Sequence, residues 1–433
     1  MRVLLSHQSS SIVSMNTLPE WLAYIERQHP QDIAMGLERV RAVAARMRLT
    51  KPAKHVITVG GTNGKGSTVA FVEAIARAAG WRVGSYTSPH LLRYNERVRI
   101  DGDEASDAEL VTAFAAVEAA RGDTALTYFE YGTLAALWLF QQAKLELAVL
   151  EVGLGGRLDA VNLVDADVAV ITTVDIDHTD WLGTDREAIG AEKAGIARPW
   201  KPLVLGEIDP PSSVLRRAYA IGANALRAGS DFFHEPIDAD RWRWRDVGTE
   251  LQLPLPQLRA PVQRANAATA IAALRALRRS LPRNAYAEGI GAARLRGRLQ
   301  PCVRDGVEVL VDVGHNPQAA RELAAALQAQ PVAGRTCAVF AALADKDAAG
   351  VVEALAAQVD AWHLAGLAGN RGQSAAQLRT RLAGTAAAEA GGAESVAQAL
   401  QSALAQAQPG DRVLVFGSFH TAAEALHWLH SAA

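Results

Sequence analysis

The residues of this chain best suited to chemistry sit in Gly60-Gly61-Thr62-Asn63-Gly64-Lys65-Gly66-Ser67-Thr68. Just before them, Val56-Ile57-Thr58-Val59 reads as a buried strand. Just after them, Val69, Phe71, Val72, Ile75, Ala76 and Ala79 recur at helical spacing until Gly80. Strand, glycine turn, lysine and helix is the layout of a phosphate-binding loop. Glycines remove Cβ atoms, so backbone N–H groups can close around phosphate oxygens. The helix N-terminus adds about half a positive charge, and Lys65 adds a whole one. The spacing is not the commonest one: three residues separate Gly60 from Gly64-Lys65, and Gly66 stands where Ser or Thr is usual. A glycine-rich turn with an exposed lysine is the plainer alternative. Gly-Lys between an apolar strand and an amphipathic helix favours nucleotide binding.

Other polar groups follow further apolar runs. Residues 145–150 read as a central parallel strand that delivers Glu151, then Gly153, Gly155 and Gly156. An acid directly after a buried strand suits a Mg²⁺ ligand. Residues 168–173 read as the next strand and deliver Asp175, Asp177, His178 and Asp180, a second metal position or an acid–base group. Ser88, after a strand over residues 82–87, is placed to meet Mg²⁺ or substrate, or simply turns the chain before Pro89. Asn266, at the start of an alanine-rich helix, could cap it or contact a nucleotide, and Lys193 reads as an exposed helix lysine. The aromatics Tyr128, Phe129 and Tyr131 precede a helix over residues 133–143 and read as core, or as a platform for a flat ligand.

These exits need a parallel sheet with helices between the strands, which makes the fold class α/β. A chain of 433 residues exceeds one ordinary core. We read a first, phosphate-loop domain over residues 1–296 and a smaller Rossmann-like α/β domain over residues 297–433, with a hinge at Leu295-Arg296-Gly297-Arg298-Leu299. In the second domain the strand ends carry Asp312 with His315-Asn316, then Asp345-Lys346-Asp347, then Ser418-Phe419-His420. Helices are expected over residues 21–26 and from Ile33 to Ala44, and a small β-rich insertion over 209–258.

The formal net charge of −2 supplies no basic footprint for nucleic acid. Cys302 and Cys337 form no disulfide framework or metal-ligand spacing and read as core thiols in a reducing compartment. The chain has no apolar run long enough for a membrane span. Met15 looks like a second start site, so the first dozen residues are expected to lie outside the fold, and the chain reads as cytoplasmic.

Together these motifs resemble the folylpolyglutamate synthase family, and most closely its bacterial bifunctional dihydrofolate synthase/folylpolyglutamate synthase branch. The carrying stretches are Gly61-Thr62-Asn63-Gly64-Lys65-Gly66-Ser67, Ser88-Pro89-His90-Leu91, Leu126-Thr127-Tyr128-Phe129-Glu130-Tyr131-Gly132, Leu150-Glu151-Val152-Gly153-Leu154-Gly155-Gly156-Arg157-Leu158-Asp159-Ala160, Asp177-His178-Thr179-Asp180-Trp181 and Glu192-Lys193-Ala194-Gly195. In the second domain they are His315-Asn316-Pro317, Asp345-Lys346-Asp347 and Gly417-Ser418-Phe419-His420. One departure is Gly314, where the family commonly has alanine before His-Asn.

The resemblance implies a Mur-ligase-like, ATP-dependent amide ligase. It would join L-glutamate to dihydropteroate and further glutamates to reduced folates, through an acyl phosphate. It implies that Thr62, Asn63, Gly64, Lys65, Gly66 and Ser67 hold the ATP phosphates, and that Asn266, Arg298 and Asp312 meet the nucleotide. Ser88, Glu151 and His178 would bind Mg²⁺, as two ions. Ile33, Gly36, Leu37, Thr127, Tyr128, Phe129, Glu130, Leu158, Asp159 and Ala160 would surround the pteroate. Lys193 becomes a carbamylated lysine, and His315 and Asp345 join the catalytic set. A monomer is expected. The alternatives are a folylpolyglutamate synthase alone, a cell-wall ligase acting on a UDP-sugar, and a nucleotide-binding regulator without ligase activity.

Overall fold

The computed structural model describes residues 15–29 and 34–431. The expected contact at Ile33 and the expectations for the first dozen residues lie outside the described residues. Among the described residues, seventeen strands form three sheets. The first sheet holds β1 (Ala53–Gly60), β2 (Val83–Tyr86), β3 (Val98–Ile100), β4 (Asp103–Glu104), β5 (Leu145–Glu151), β6 (Val168–Ile171), β7 (Pro202–Leu205) and β8 (Asn224–Arg227). Their order is β4-β3-β2-β5-β1-β6-β7-β8, parallel from β2 to β8. β1 is buried on both faces: Val56 joins one core, while Ile57 and Val59 join the other. Alternate residues of a strand point to opposite faces, so a strand covered by helices on both sides is apolar throughout.

β9 (Phe232–Pro236), β10 (Arg241–Asp246) and β11 (Glu250–Pro254) form a small antiparallel sheet. Trp242 and Trp244 of β10 are fully buried, and the Trp244 indole N–H donates to Ala268 O on the helix Gln263–Ala276. The β-rich insertion expected over 209–258 is therefore shorter. It begins at Phe232, because the helix Ser212–Ala220 and β8 belong to the main sheet's layers.

β12 (Gln300–Arg304), β13 (Val307–Val311), β14 (Thr336–Phe340), β15 (Ala361–Ala365), β16 (Gly391–Ala393) and β17 (Arg412–Phe416) form the third sheet, in the order β12-β13-β17-β14-β15-β16. Only β12 runs antiparallel. Cys337 is buried in β14 and Cys302 half-buried in β12; both are free thiols, and burial pushes both up. No helix among the described residues is long and apolar enough to cross a membrane.

Two local expectations need correction, and one helix is additional to those expected. The helix expected from Ile33 runs instead over Glu38–Arg46. The aromatic segment before residue 133 is itself the first turn of a helix, Tyr128–Ala143. There the Thr127 hydroxyl accepts Glu130 N–H and the Glu130 carboxylate accepts Thr127 N–H, a capping box. The helix Arg283–Ala292 was hidden by Pro282 and by its glycines. Pro282 starts the helix rather than breaking it. Gly289 is required where this helix crosses the helix Lys65–Ala78, since a Cβ there would strike the backbone at Ile75.

Candidate functional site

Register places the first set of polar groups. Val59 of β1 pairs with Glu151 of β5, and Gly60 pairs with Ile171 of β6. The carboxyl ends of three adjacent parallel strands thus lie side by side, where open α/β sheets bind ligands. The phosphate loop leaves β1 between Glu151 and the β6 exit. Its Thr62 N–H donates to Thr173 O at 2.8 Å, and Asn63 N–H to Thr173 Oγ1 at 3.1 Å. Lys65 Nζ donates to Gly61 O and Thr62 O, both at 3.1 Å.

Gly64 has φ +82°, and a Cβ there would lie 2.6 Å from Asn266 Oδ1. Any side chain would strain the loop and push Asn266 away. Gly64→Ala should weaken ATP binding about tenfold, read from the equilibrium dissociation constant of a fluorescent nucleotide.

Glu151 is buried, and among the described residues its carboxylate accepts one hydrogen bond, from Ser88 N–H at 3.2 Å. Burial pushes its carboxyl up, and the nearby Lys65 ammonium works against that shift. A buried carboxylate, a serine hydroxyl and an imidazole form a donor set that suits a divalent cation completed by phosphate oxygens. No group of three His, Cys, Asp or Glu side chains among the described residues makes a closed metal site.

His178 lies beyond β6 at φ +53°, uncommon for a non-glycine residue, with its N–H held by Asp177 Oδ1 at 2.8 Å. Burial pushes its imidazole down to about 4, so it is neutral and able to ligate at neutral pH. Lys193 is not the exposed lysine that composition suggests. It is 4 % exposed and donates to Gly61 O at 3.1 Å. Burial, then the Lys65 ammonium, pushes its amine down to about 7. Lys65, Lys193, Asp177, His178 and Gly155 line one small recess behind the loop.

The second set comes from the third sheet. β13, β17 and β14 are neighbours, and their carboxyl ends lead to Asp312, Ser418 and Asp345. Asp312 and Ser418 face the first set across a cleft of about 380 Å³. Its walls include Thr62, Asn63, Gly64, Lys65, Gly66, Ser67, Ser88, Glu151, His178, Asn266, Arg298, Asp312 and His315, so one cavity gathers the phosphate, nucleotide and metal residues that the resemblance implies, while Asp175 and Asp180 lie outside it. Asp312 accepts Leu299 N–H at 2.8 Å and Gly314 N–H at 2.7 Å, next to the half-buried Arg298. His315 Nδ1 meets Val313 O at 3.0 Å.

Asp345 does not line this cleft. It pairs with Arg371 at 2.6 Å and lies 3.8 Å from Lys346, and those two cations line the cleft instead. Asp177, unlike Asp345, lines the cleft. Its carboxylate contacts Lys346 at 2.5 Å and His315 at 3.3 Å, both in the second lobe. Sequence reading missed Arg371 and Gln318 as cleft residues. Arg371 follows the end of β15, so the strand-end rule applied to every strand would have found it.

The expected pteroate residues do not line the cleft. They meet beside it, where the turn Ala160–Leu163 packs on the helices Glu38–Arg46 and Tyr128–Ala143. The Phe129 ring lies over Gly153, and Arg39 binds Glu130 at 2.9 Å. Gly36 and Leu37 lead into the first of those helices, and Leu158 precedes the turn. Asp159 is buried and accepts Leu154 N–H at 2.9 Å and Val161 N–H at 3.0 Å. Burial pushes its carboxyl up to about 7. A carboxyl raised on folding holds its proton tighter in the folded chain. Its stability contribution is full below the ordinary carboxylate range and is lost as pH rises through about 7. The melting temperature of the wild type minus that of Asp159→Asn should therefore fall between about pH 4 and pH 8.

The chain is similar to known proteins along most of its length. Residues 59–253 match the Mur ligase middle domain, and residues 297–419 match the Mur ligase glutamate ligase domain. The chain is 50% identical over 410 residues to the dihydrofolate synthase/folylpolyglutamate synthase of Escherichia coli, covering 94% of each chain. It superposes on the E. coli FolC structure in complex with DHPP and ADP with a TM-score of 0.91 at 49% identity, covering 96% of this chain and 98% of that one. A bifunctional folylpolyglutamate synthase/dihydrofolate synthase solved with Mn, AMPPNP and L-glutamate bound gives a TM-score of 0.88 at 48% identity, with the same coverage.

Proposed function

Since the chain belongs to the dihydrofolate synthase/folylpolyglutamate synthase family of the Mur ligases, we propose that its interlobe cleft joins L-glutamate to dihydropteroate and then to reduced folates, with ATP as the activating substrate. The protein is an ATP-dependent glutamate ligase. The observation that carries the residue-level reading is the convergence of Lys65, Glu151 and His178 with Arg298, Asp312 and His315 on one cavity.

A carboxylate does not lose oxide to an amine at neutral pH. In the proposed reaction its oxygen attacks the γ-phosphorus, the bond to ADP breaks, and an acyl phosphate forms. The glutamate amine then attacks the acyl carbon, phosphate leaves, and the amine gives up a proton. Phosphoryl transfer mainly needs alignment and charge neutralisation, which the loop amides and Lys65 supply. Ser88, Glu151 and His178 would hold Mg²⁺, as two ions, and bound Mg²⁺ neutralises phosphate charge. His315, which lines the cleft, would orient the amine and take its proton. Asp345 serves at one remove, by holding Lys346 and Arg371.

Lys193 is proposed to be carbamylated. An amine pushed down to about 7 is about half uncharged near neutral pH, and the neutral form can attack CO₂, losing a proton to give an N-carboxylate. The pteroate would lie against Phe129 and Asp159, with its carboxyl reaching the cleft past Gly153, which lines both places. We take the first domain as residues 1–296 and the second as 297–433, and the protein as a cytoplasmic monomer.

The test is incubation of the purified chain with dihydropteroate, ATP, Mg²⁺ and glutamate, with product masses measured. Dihydrofolate is expected, and tetrahydrofolate should gain glutamates in the same buffer. Extension of tetrahydrofolate without any dihydrofolate would leave a folylpolyglutamate synthase alone.

A further inference from the structure

Asp177 lies beyond β6 on the first lobe, where its Oδ1 accepts His178 N–H at 2.8 Å, yet its shortest contact is on the second. Oδ1 accepts Lys346 Nζ at 2.5 Å, and Oδ2 accepts Asn316 Nδ2 at 3.2 Å and lies 3.3 Å from His315 Nε2. The Asp177 and Lys346 side chains are 8% and 6% exposed. Among the described residues the other acid near Lys346 is Asp345 at 3.8 Å, already engaged by Arg371. Asn316 carries a second link. Its Nδ2 also donates to Asn63 Oδ1 at 3.1 Å, and Asn63 Nδ2 donates back to Asn316 Oδ1 at 3.0 Å. Asn63 belongs to the phosphate loop. Asn316 caps the helix Pro317–Ala329 by accepting Ala319 N–H at 2.9 Å. One amide side chain therefore ties the phosphate loop, the β6 exit and a helix of the other lobe together.

We propose that Asp177, Asn63 and Asn316 form a clasp that sets the second lobe over the phosphate loop, with Asp177 the positioning residue for Lys346 and His315. A buried ion pair is weak evidence for stability, because desolvation offsets its attraction, but it fixes register between the parts it joins. This clasp joins the loop that would hold the phosphates to the cations and imidazole that would meet the incoming amine. Seating of a triphosphate is thereby felt by the groups acting in the second half of the reaction. The inference rests on the ligase reading above.

Two variants test it. Asp177→Asn keeps the size and removes the charge. Asn316→Asp keeps the helix cap, since its carboxylate still accepts Ala319 N–H, but loses both Nδ2 donations and sets a second negative charge beside Asp177. In both, ATP affinity by titration calorimetry should stay within about twofold, while kcat falls and KM for glutamate rises by about tenfold or more. Small-angle scattering of the ATP-bound variants should show a larger radius of gyration than the wild type. If Asp177→Asn does not fold, Asn316→Asp decides alone. Unchanged kcat, KM and scattering would overturn the clasp. So would a loss of ATP affinity matching the loss of kcat, which would put Asp177 on the nucleotide itself. A wild type without ligase activity would overturn the ligase reading instead.

Discussion

Lys193→Ala should lower kcat about a thousandfold and leave ATP affinity little changed. The side chain is buried, and its Nζ donates to Gly61 O beneath the phosphate loop. A cation there would repel any metal held by Glu151 and His178, and Lys65 already occupies the recess with a positive charge. Burial and Lys65 push the amine down to about 7, which favours the form that reacts with CO₂. A carbamate turns a potential cation into an anion that can anchor water or metal. Alanine would leave a hole of the proposed carbamate's shape, so acetate or formate should restore part of the rate. The wild type dialysed against CO₂-free buffer should lose activity and regain it with bicarbonate. Recovery should slow as pH drops below about 7, because the protonated amine cannot attack CO₂. Full activity of Lys193→Ala would remove the carbamate from the mechanism.

The contrast between Lys193 and Glu151 shows what sequence could and could not reveal. Glu151 was legible because an acid directly after a buried strand has little packing rationale, and the parallel order of β5, β1 and β6 then fixes its place beside the phosphate loop. Lys193 sits on a short helix with charged neighbours, and nothing local marks it as buried. Its burial is tertiary, made by the glycine turn after β5: a Cβ at Gly156 would lie 3.0 Å from Lys193 O. Asp177 was noticed at the right strand end, but its partners Lys346 and His315 come from 138 or more residues later in the chain, so its role depended on how the lobes meet. The helix Tyr128–Ala143 shows the same limit at short range. The Thr127–Glu130 capping box was present in the sequence, yet the aromatics that follow drew attention away from the helix start they occupy.

Lys65→Met should lower kcat by about a thousandfold or more, and its effect should exceed the loss of one phosphate contact. The first part is direct. Lys65 Nζ now rests on two backbone carbonyls of its own loop, at 3.1 Å each, a weak anchorage that an anionic phosphate oxygen can displace. Methionine keeps the length of the side chain and removes the charge on which neutralisation of the transferring phosphoryl depends. The second part is indirect. The Lys65 charge helps to hold down both the Glu151 carboxyl and the Lys193 amine. Without it, Glu151 protonates more readily and becomes a poorer cation ligand, while Lys193 stays protonated to higher pH and takes up CO₂ more slowly. The two shifts make a test. If Lys65 acts only on the nucleotide, the Lys65→Met defect should be independent of pH and bicarbonate. If it also conditions its neighbours, raising pH and bicarbonate together should recover part of the rate without tightening ATP binding.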